Sequence, residues 1–552
     1  MMELKPYILQ YLWYIEAATL ATALVITLSS IDDVFVDLYY WCMRLRGSIG
    51  TNISDLPTAA DANDIPERPF AVMVPAWKEH DVIFSMLSTN SRLVIYDKAH
   101  YFVGAYQNDP STQDEVRKAQ ALYRNIHLVI VPRDGPTSKA DCLNEIIAAI
   151  FQLEAKSNFE FAGIVMHDSE DMIHPHELKA FNVLVHKFDF VQLPVFSFAR
   201  PLQSMVTGIY LDEFAEVHTK DLQVRQSLSG VIPCAGVSAC FSREAMARLV
   251  AFNSGEAFRT STMTEDYDIA FRISELGLKS AFVSYPTFYT IDVDLATERP
   301  AVFRKKDFPV STREYFPSEF RAAFRQRARW QLGIVFQGIK ELGWKGSLAT
   351  KYFLARDRKG IVTAPTVMMG YFVSLNLLAI AMYLGWYFPQ EEMQFALLAS
   401  PMVADLFLLN LGFLVWRLVH RLIFTWRIYD WRQALMSVPR LAVSNFVNFF
   451  ATARAIRIYG MHLLTGKALV WDKTSHSYPV PIVPADYGFL PDATPALSAA
   501  AEPPVRPMPQ QVRPSEMPLR PLQPRPATSM APMPLQPTQT RTERHKEPVP
   551  AK

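Results

Sequence analysis

Several features that define other protein classes are scarce or missing in this chain of 552 residues. It has four cysteines, and none of them form a CxxC pair, so we expect neither a disulfide framework nor a cysteine zinc site, and the chain fits a reducing compartment. No GxGxxG follows the first predicted strand and no GxxxxGKS/T occurs, which removes the main support for a dinucleotide fold or a P-loop. The net charge is only +1, so no nucleic-acid partner is expected.

Apolar residues, in contrast, are abundant: 50% of the chain is hydrophobic and 12% is aromatic, which is high for a soluble protein. Ile8–Leu28, Val362–Phe388 and Ala396–Trp416 each have the length of roughly 20 residues that a bilayer span requires. Ile31–Leu45 is predicted to lie along the interface. Ala434–Gly460 carries several Arg and Asn residues, so an interfacial amphipathic helix is favoured over a fourth span.

The distribution of basic residues predicts an orientation in the membrane. Arg44 and Arg46 follow the first span, and Arg417, Arg421 and further basic residues flank the other two. By the positive-inside rule these ends face the cytoplasm. We therefore expect a multi-pass protein with its large polar domain in the cytoplasm. The predicted organisation is a transmembrane helix and interfacial segment (1–46), a linker (47–69), a cytoplasmic domain (70–345), a transmembrane hairpin (360–420), interfacial helices (421–480) and a disordered Pro-rich tail (494–552).

Strands and helices alternate in the polar domain. Strands are predicted over Phe70–Val74, His100–Tyr106, His127–Val131, Phe161–Met166 and Phe188–Val195, with helical stretches between them. This pattern predicts an α/β fold with a mostly parallel sheet. Ligands of such sheets bind at the carboxyl ends of the strands, so the polar residues after each strand are the candidates for a binding site.

An acidic turn follows the fourth predicted strand. Asp168 and Glu170 stand two residues apart and can face one divalent cation, for which oxygen ligands suit Mg²⁺ or Mn²⁺ better than zinc. The alternative is a polar strand-to-helix turn in which Ser169 or Asp171 caps the helix.

Two later helices carry further candidate residues. Ser261–Leu278 is predicted to be a helix that begins with Thr264, Glu265 and Asp266, for which helix capping is the alternative role. The stretch around Pro300 and Pro309 is expected to be irregular. The basic helix Ser318–Ile339 suits an anionic ligand such as a diphosphate or, alternatively, the membrane surface; its candidate residues are Gln326, Arg327, Arg329 and Trp330.

Taken in order, these motifs resemble those of the processive family 2 glycosyltransferases of the cellulose and hyaluronan synthase type. The sequence is still more similar to the bacteriophage adsorption protein B family, inner-membrane proteins with a family 2 glycosyltransferase domain. The stretches that carry this similarity are MVPAWKE, GPTSKADCLN, HDSEDMIHP, TEDYDIAFR, REYFP, GIVFQG and RDRKG. The resemblance covers about Tyr7 to Tyr478.

The resemblance implies a Rossmann-like GT-A domain that uses a UDP-sugar, inverts the anomeric carbon and requires Mg²⁺ or Mn²⁺. Pro75, Glu79 and Asp109 would hold the nucleoside, with Lys139 near the nucleotide. The metal would bind Asp168 and Glu170, where most relatives of the synthase type have two Asp residues, so Asp171 is an alternative ligand. Asp266, next to Glu265, would be the general base. The diphosphate and the acceptor would bind Gln326, Arg327, Arg329 and Trp330.

The same resemblance implies partners and a location. The protein would work in the bacterial inner membrane on a glycan or lipid-linked acceptor, with an outer-membrane export or receptor partner. Longer relatives carry a cyclic-dinucleotide-binding domain where this chain has its Pro-rich tail, so direct activation by such a nucleotide is not expected. Two alternatives remain: an inactive membrane scaffold with a transferase fold, and a phosphohydrolase built on Asp168, Asp171, His167, His174 and His176.

Overall fold

The computed structural model describes residues 5–47, 61–157, 159–296, 299–387, 398–467, 469 and 477–479. The predicted Pro-rich tail lies outside the described residues. The strands are β1 (Phe70–Ala76), β2 (Ala99–Tyr106), β3 (Ile126–Val131), β4 (Gly163–Met166), β5 (Phe190–Gln192), β6 (Val195–Ser197), β7 (Ala239–Ser242), β8 (Ser280–Phe282), β9 (Pro286–Asp294), β10 (Arg299–Pro309) and β11 (Thr312–Glu314). The helices are α1 (Lys5–Leu45), α2 (Ile83–Leu93), α3 (Pro110–Leu122), α4 (Lys139–Ser157), α5 (Glu177–Leu184), α6 (Met205–Glu216), α7 (Leu222–Ser229), α8 (Arg243–Phe252), α9 (Glu265–Glu275), α10 (Phe320–Gln331), α11 (Gly338–Glu341), α12 (Leu348–Arg358), α13 (Gly360–Tyr387), α14 (Pro401–Ile428) and α15 (Trp431–Thr465).

A seven-stranded sheet in the order β3-β2-β1-β4-β7-β5-β8 forms the centre of the polar domain. β7 is antiparallel to its neighbours β4 and β5, and the other pairs are parallel. The predicted α/β class with a mostly parallel sheet is therefore confirmed. Because β1 to β4 run in the same direction, the loops that follow them converge on one edge of the sheet.

Alternating side chains of β1 explain why this strand lies at the centre. Phe70, Val72 and Val74 belong to a core on one face of the sheet, under α2, α3 and α5. Ala71 and Met73 belong to a second core on the other face, under α4, α8 and α9. A strand with apolar residues on both faces is stable only between two layers of helices, as in doubly wound sheets.

Two regions differ from the sequence-based expectation. The single strand predicted over Phe188–Val195 is two short strands, β5 and β6, separated by Leu193 and Pro194, because proline cannot donate a ladder hydrogen bond in a sheet interior. The prediction of an irregular stretch around Pro300 and Pro309 is wrong, because this stretch pairs as the antiparallel hairpin of β9 and β10. Both prolines lie in a two-stranded sheet, where one side of each strand is an edge that needs no donor.

Three described helices are long and apolar enough to cross a membrane: Tyr7–Leu45, Gly360–Tyr387 and Pro401–Ile428. The first runs without a break through the predicted span and the predicted interfacial stretch. Its acids Asp32, Asp33 and Asp37 are all paired with basic side chains of other elements, which permits the helix to continue instead of turning along a surface.

A buried ionic cluster connects α6 to α14 and α15. Asp212 of α6 lies 3.2 Å from Arg440 Nη1 of α15 and 3.5 Å from Arg421 Nη2 of α14. Arg440 also donates to the side chain of Gln433. Gly208, one turn before Asp212, leaves the room that the Arg440 side chain occupies. A buried ion pair is costly to break once formed, so this cluster fixes how the three helices pack.

Replacing Gly208 with Ala should disturb this cluster. The new Cβ would lie 2.1 Å from Arg440 Nε, so the guanidinium must leave Asp212 partly uncompensated. We expect a loss of about 2–4 kcal/mol in the free energy of unfolding, measured as a lower midpoint of thermal unfolding in detergent. The matched control is Gly460→Ala in α15, where a Cβ meets nothing within 4 Å and stability should hold or rise. Equal midpoints for the two variants would contradict the expectation.

Candidate active site

A cavity of about 670 Å³ opens at the carboxyl ends of β1, β2 and β4. The structure brings most of the predicted site residues to its wall, from loops and helices that are far apart in the sequence. They are Pro75, Glu79, Lys139, Asp168, Glu170, Glu265, Asp266, Gln326, Arg329 and Trp330. The cavity therefore gathers the motifs of the first strand, the acidic turn, the helix α9 and the basic helix α10.

Two predicted site residues have other contacts. Asp109 accepts hydrogen bonds from the backbone N–H groups of Lys78, at 2.6 Å, and of Thr112, at 3.4 Å, so its carboxylate caps α3 and holds the loop after β1. Arg327 is buried and pairs with Glu213 Oε2 at 2.7 Å. Neither side chain lines the cavity.

The acidic turn after β4 is held by an ion pair. Asp168 Oδ1 lies 2.5 Å from Lys139 Nζ. Glu170 is almost fully buried, and its Oε2 accepts a hydrogen bond from Ser169 Oγ at 3.2 Å. Asp171 points away from the cavity: its Oδ2 accepts the Asp168 N–H at 3.0 Å and contacts His167.

His167 supports this turn from inside the protein. Its Nδ1 is 2.8 Å from Asp171 Oδ2 and its Nε2 is 2.8 Å from Glu177 Oε1. Burial alone would lower the pKa of His167, but the two carboxylates raise it from 6.5 to about 10. The ring is therefore an imidazolium that donates to both carboxylates, and Glu177 Oε2 accepts from Ser238 and Thr312 as well.

The other two histidines of the turn lie elsewhere. His174 stacks on Tyr289, with ring centroids 5.2 Å apart, and His176 is 5.7 Å from the same ring. Burial lowers the pKa of His174 to about 3, so it is neutral. None of the three histidines lines the cavity, which removes the geometric basis for a phosphohydrolase built on them.

The base candidate Asp266 lies in the first turn of α9. Burial raises its pKa, which Lys139 opposes, and burial together with Asp266 raises the pKa of Glu265 to about 8. The backbone of Gly236 passes so close that a Cβ there would be 2.7 Å from Asp266 Oδ2. Gly236 also has φ +82°, a conformation that favours glycine.

The sequence of this chain is similar to a known protein family and to known proteins. Residues 66–333 match the family model "Glycosyltransferase like family 2". The matched residues 66–333 are called the family 2 domain here. Over 475 residues the chain is 39% identical to the bacteriophage adsorption protein B of Escherichia coli strain K12 and, equally, to the bacteriophage N4 adsorption protein B of E. coli O157:H7. These alignments cover 85% of this chain and 63% of each relative, so the chain spans about 63% of their length.

These findings confirm the resemblance and the fold class that the motifs predicted. Solved structures show more distant likeness. A mannosyltransferase of Pyrobaculum calidifontis, in complex with GDP-Man and Mn²⁺, has a TM-score of 0.43 and 17% identity and covers 77% of this chain and 99% of its own. A glucosyl-3-phosphoglycerate synthase of Mycobacterium tuberculosis has a TM-score of 0.26 and 17% identity and covers 42% of this chain and 74% of its own. Both are too dissimilar to transfer any residue's role.

Several cavity residues were not predicted as members of the site. Glu314 and Phe316, in the REYFP stretch, line the cavity, as do Tyr459 and His462 at the end of α15. Burial and the nearby Asp171, Glu170 and Asp168 raise the pKa of Glu314 well above its usual range. The REYFP stretch indicated the family resemblance but no role for its residues. α15 begins about 100 residues after the family 2 domain, so only the folded chain brings α15 to the cavity.

Replacing His167 with Leu should destabilise the family 2 domain, because Asp171 and Glu177 would lose their shared cation inside the core. We expect a loss of about 3–5 kcal/mol near neutral pH, measured by thermal unfolding in detergent. Since the folded-state pKa is raised, the stabilisation by His167 is complete below pH 6.5 and declines as the pH rises toward 10, so the difference from the unsubstituted protein should shrink in that range.

The control for this prediction is His127→Leu. His127 faces His100 at 3.1 Å with no carboxylate partner among the described residues, and burial lowers its pKa. The same substitution should therefore cost much less there. A His127→Leu loss as large as that of His167→Leu would mean that ring volume, and not charge, stabilises the turn.

Proposed function

We propose that this chain is an inner-membrane, inverting glycosyltransferase that moves a hexosyl group from a UDP-sugar to a glycan or lipid-linked acceptor of the cell surface. One observation carries the proposal. A single cavity in the family 2 domain combines a lysine-paired acidic turn, a partly buried base candidate and a Gln-Arg-Trp group. A scaffold protein has no physical need to bury these charges together, since each buried charge is costly.

One end of the cavity suits the nucleoside of the donor. Pro75, Trp77, Glu79 and Tyr106 line it. The rings of Trp77 and Tyr106 meet edge to face with centroids 5.2 Å apart, which gives a flat base a rigid apolar wall. Lys139 stands between this end and the acidic turn, where its ammonium can meet a diphosphate. The uracil specificity of this end rests on the sequence resemblance.

The acidic turn fits a divalent cation that binds together with the donor. Asp168, Glu170, Asp266 and Glu314 bring carboxylates to one cavity wall, and the ammonium of Lys139, paired with Asp168, offsets part of their mutual repulsion. In the described part of the chain no three His, Cys, Asp or Glu side chains are grouped to hold a metal alone. Mg²⁺ is commonly held by one or two carboxylates plus substrate phosphate oxygens. Asp168 and Glu170 would hold it, and it would neutralise charge on the departing diphosphate.

Asp266 is the group that accepts the proton of the acceptor hydroxyl. The hydroxyl oxygen forms a bond to the anomeric carbon while the bond from that carbon to the diphosphate oxygen breaks, so the configuration inverts and UDP leaves with the electron pair. A raised pKa suits a base that must hold this proton during attack. Lys139 donates to the charge that develops on the diphosphate.

Another group of residues that line the cavity suits the acceptor. Gln326 Oε1 is buried with no hydrogen-bond partner in the described part of the chain, so it is an acceptor atom available to a ligand hydroxyl. Arg329 and Trp330 line the same region, where an indole can pack on a sugar ring.

The three long apolar helices support the proposed membrane location. α13 and α14 both pack against α1, and basic residues such as Arg356, Lys359 and Arg427 lie at or next to their ends near the family 2 domain. The positive-inside rule places that side in the cytoplasm, where nucleotide sugars are made available to the cavity. An outer-membrane export or receptor partner would receive the product.

The test is nucleotide release by the purified full-length protein, with a panel of UDP-sugars, GDP- and CMP-sugars as comparisons, and Mg²⁺ or Mn²⁺. One UDP-sugar should give release that EDTA abolishes. Asp266→Asn should lower the rate about 100-fold or more, because it removes the base. Asp114→Asn, an exposed acid of α3, is the matched control and should leave the rate unchanged. Release that persists in EDTA would contradict the metal, and no release or binding of any donor would favour the inactive scaffold.

Gly236→Ala tests the position of Asp266 without changing any charged group. The added methyl would push Asp266 Oδ2 out of place, and displacement by about 1 Å costs on the order of 100-fold in rate. We expect a lower kcat and an almost unchanged KM for the donor sugar, measured by nucleotide release. Gly230→Ala, also at positive φ but with no atom within 4 Å of a Cβ, controls for backbone strain. Similar kcat values for the two variants would contradict the close approach.

A further inference from the structure

Residues 356–359, Arg-Asp-Arg-Lys, are the last three residues of α12 and the single residue between α12 and α13, and they are called the junction segment here. They belong to the RDRKG stretch, which the sequence singles out and the proposed chemistry does not use. Each of the four charged side chains has a polar partner, and the partners divide into two groups. Asp357 and Arg358 contact the region around the base candidate, whereas Arg356 and Lys359 contact the apolar helix α1.

Asp357 reaches the residue next to the base candidate. Its Oδ2 accepts a hydrogen bond from Tyr267 Oη at 2.5 Å, and both carboxylate oxygens accept from Arg225 Nη1, at 2.8 and 2.9 Å. The Tyr267 N–H in turn donates to Asp266 Oδ1 at 2.7 Å. A charged group of the junction segment is thus two hydrogen bonds away from the carboxylate of Asp266.

Arg358 reaches the same region by a second route. It is 4% exposed, and it donates to the carbonyl oxygens of Gly343, at 2.9 Å, and Gly338, at 2.8 Å. Gly338 begins the short helix α11 directly after a π-helical stretch, Leu332–Gln337, that continues α10. Stretches of π-helix inside α-helices are frequent at functional sites.

This π-helical stretch holds the segment that leads into α9. Gln337 accepts the Met263 N–H at 2.9 Å and donates to the Ser261 carbonyl at 2.9 Å. Gly333 lies against Thr264, so closely that a Cβ would be 2.2 Å from its Oγ1. Residues 261–267, which include both acids of the base motif, are therefore held from the side of the junction segment.

The other two junction residues are fixed to α1. Arg356 Nη1 lies 2.5 Å from Asp32 Oδ2 and 2.9 Å from Asp33 Oδ1. Lys359 Nζ lies 2.6 Å and 2.7 Å from the same two atoms. Arg417 Nη1 also lies 3.1 Å from Asp33 Oδ2, so three cations and two anions share one partly buried cluster. The end of α12 therefore cannot shift relative to α1 without breaking several ion pairs.

We propose that the junction segment positions Asp266: Asp357 and Arg358 hold residues 261–267, and Arg356 and Lys359 anchor that hold to α1. Asp357 and Arg358 are positioning residues, since neither lines the cavity. The consequence for catalysis rests on the proposed function, whereas the hold on residues 261–267 is a property of the fold. The activity of the family 2 domain therefore depends on the position of α1 relative to the end of α12.

The experiment is hydrogen–deuterium exchange on the full-length protein in lipid nanodiscs, with Arg358→Ala and Arg356→Ala. Both variants should increase amide exchange in residues 261–267 about tenfold, as expected when local opening becomes easier. Peptides of β1 should exchange as in the unsubstituted protein. Tyr267→Phe removes a single hydroxyl and should increase exchange in the same segment, which keeps the test valid if an arginine variant does not fold.

Lys345→Ala is the matched control. Lys345 pairs with Glu275 in a solvent-exposed ion pair near the same elements, and its loss should leave exchange in residues 261–267 unchanged. Arg358→Lys keeps a cation and a donor at the site and should restore most of the protection. Unchanged exchange of residues 261–267 in Arg358→Ala or in Arg356→Ala overturns the proposal, as does an equal increase in β1.

A second readout connects the hold to catalysis. In the nucleotide-release assay, Arg358→Ala should lower kcat about tenfold and change the donor KM less than about twofold, because the base is displaced while the nucleoside end is intact. Donor-binding stoichiometry gives the fraction of folded protein. If the unsubstituted protein releases no nucleotide, the proposed function fails, and the exchange experiment still decides the positioning role.

Discussion

The ion pair between Lys139 and Asp168 is the interaction on which the cavity depends. Burial alone would lower the pKa of Lys139, but Asp168, Glu265 and Asp266 together raise it, so the lysine remains a cation among carboxylates. Without it, the mutual repulsion of these three acids would not be offset by this cation. Buried charges persist only when partners compensate them. The surplus of acid that remains after this pairing is what makes the cavity suited to a further cation and to an incoming diphosphate with its metal.

A second layer of polar contacts holds the first. His167 shares its two N–H groups between Asp171 and Glu177, and Asp171 in turn accepts the N–H of Asp168. Each carboxylate of this layer points inward, so it cannot serve the cavity and instead fixes the turn that does. Gly236 also constrains the site, because its bare backbone lies against Asp266. Sites held in this way keep their geometry because every supporting group is itself bonded.

The apolar helices are part of the same architecture. Asp212 of α6 pairs with Arg421 and Arg440, and Lys220, in the π-helical turn that follows α6, pairs with Asp37 of α1. These contacts are short-range and buried, so salt screens them little. Ion pairs, and not apolar packing alone, therefore attach the family 2 domain to α1, α14 and α15. This explains how a residue such as Arg356 can matter for a cavity that it does not touch.

Much of this molecule was predictable from local sequence. The alternation of β1 with helices, the length of the apolar runs and the acidic turn at Asp168 depend on neighbouring residues, and such patterns are visible without a structure. Most of the site residues that the motifs predicted do line the cavity. Asp109 and Arg327 were also predicted to bind a ligand, but neither lines the cavity. A carboxylate that caps a helix and an arginine that pairs with Glu213 cannot be distinguished from ligand-binding residues by residue type alone. Local patterns thus indicated the fold class, the family resemblance and the candidate acids and bases. Which of these residues face the cavity, that α15 lines it, and that the junction segment contacts residues around Asp266 all depend on the packing of segments up to hundreds of positions apart in the chain.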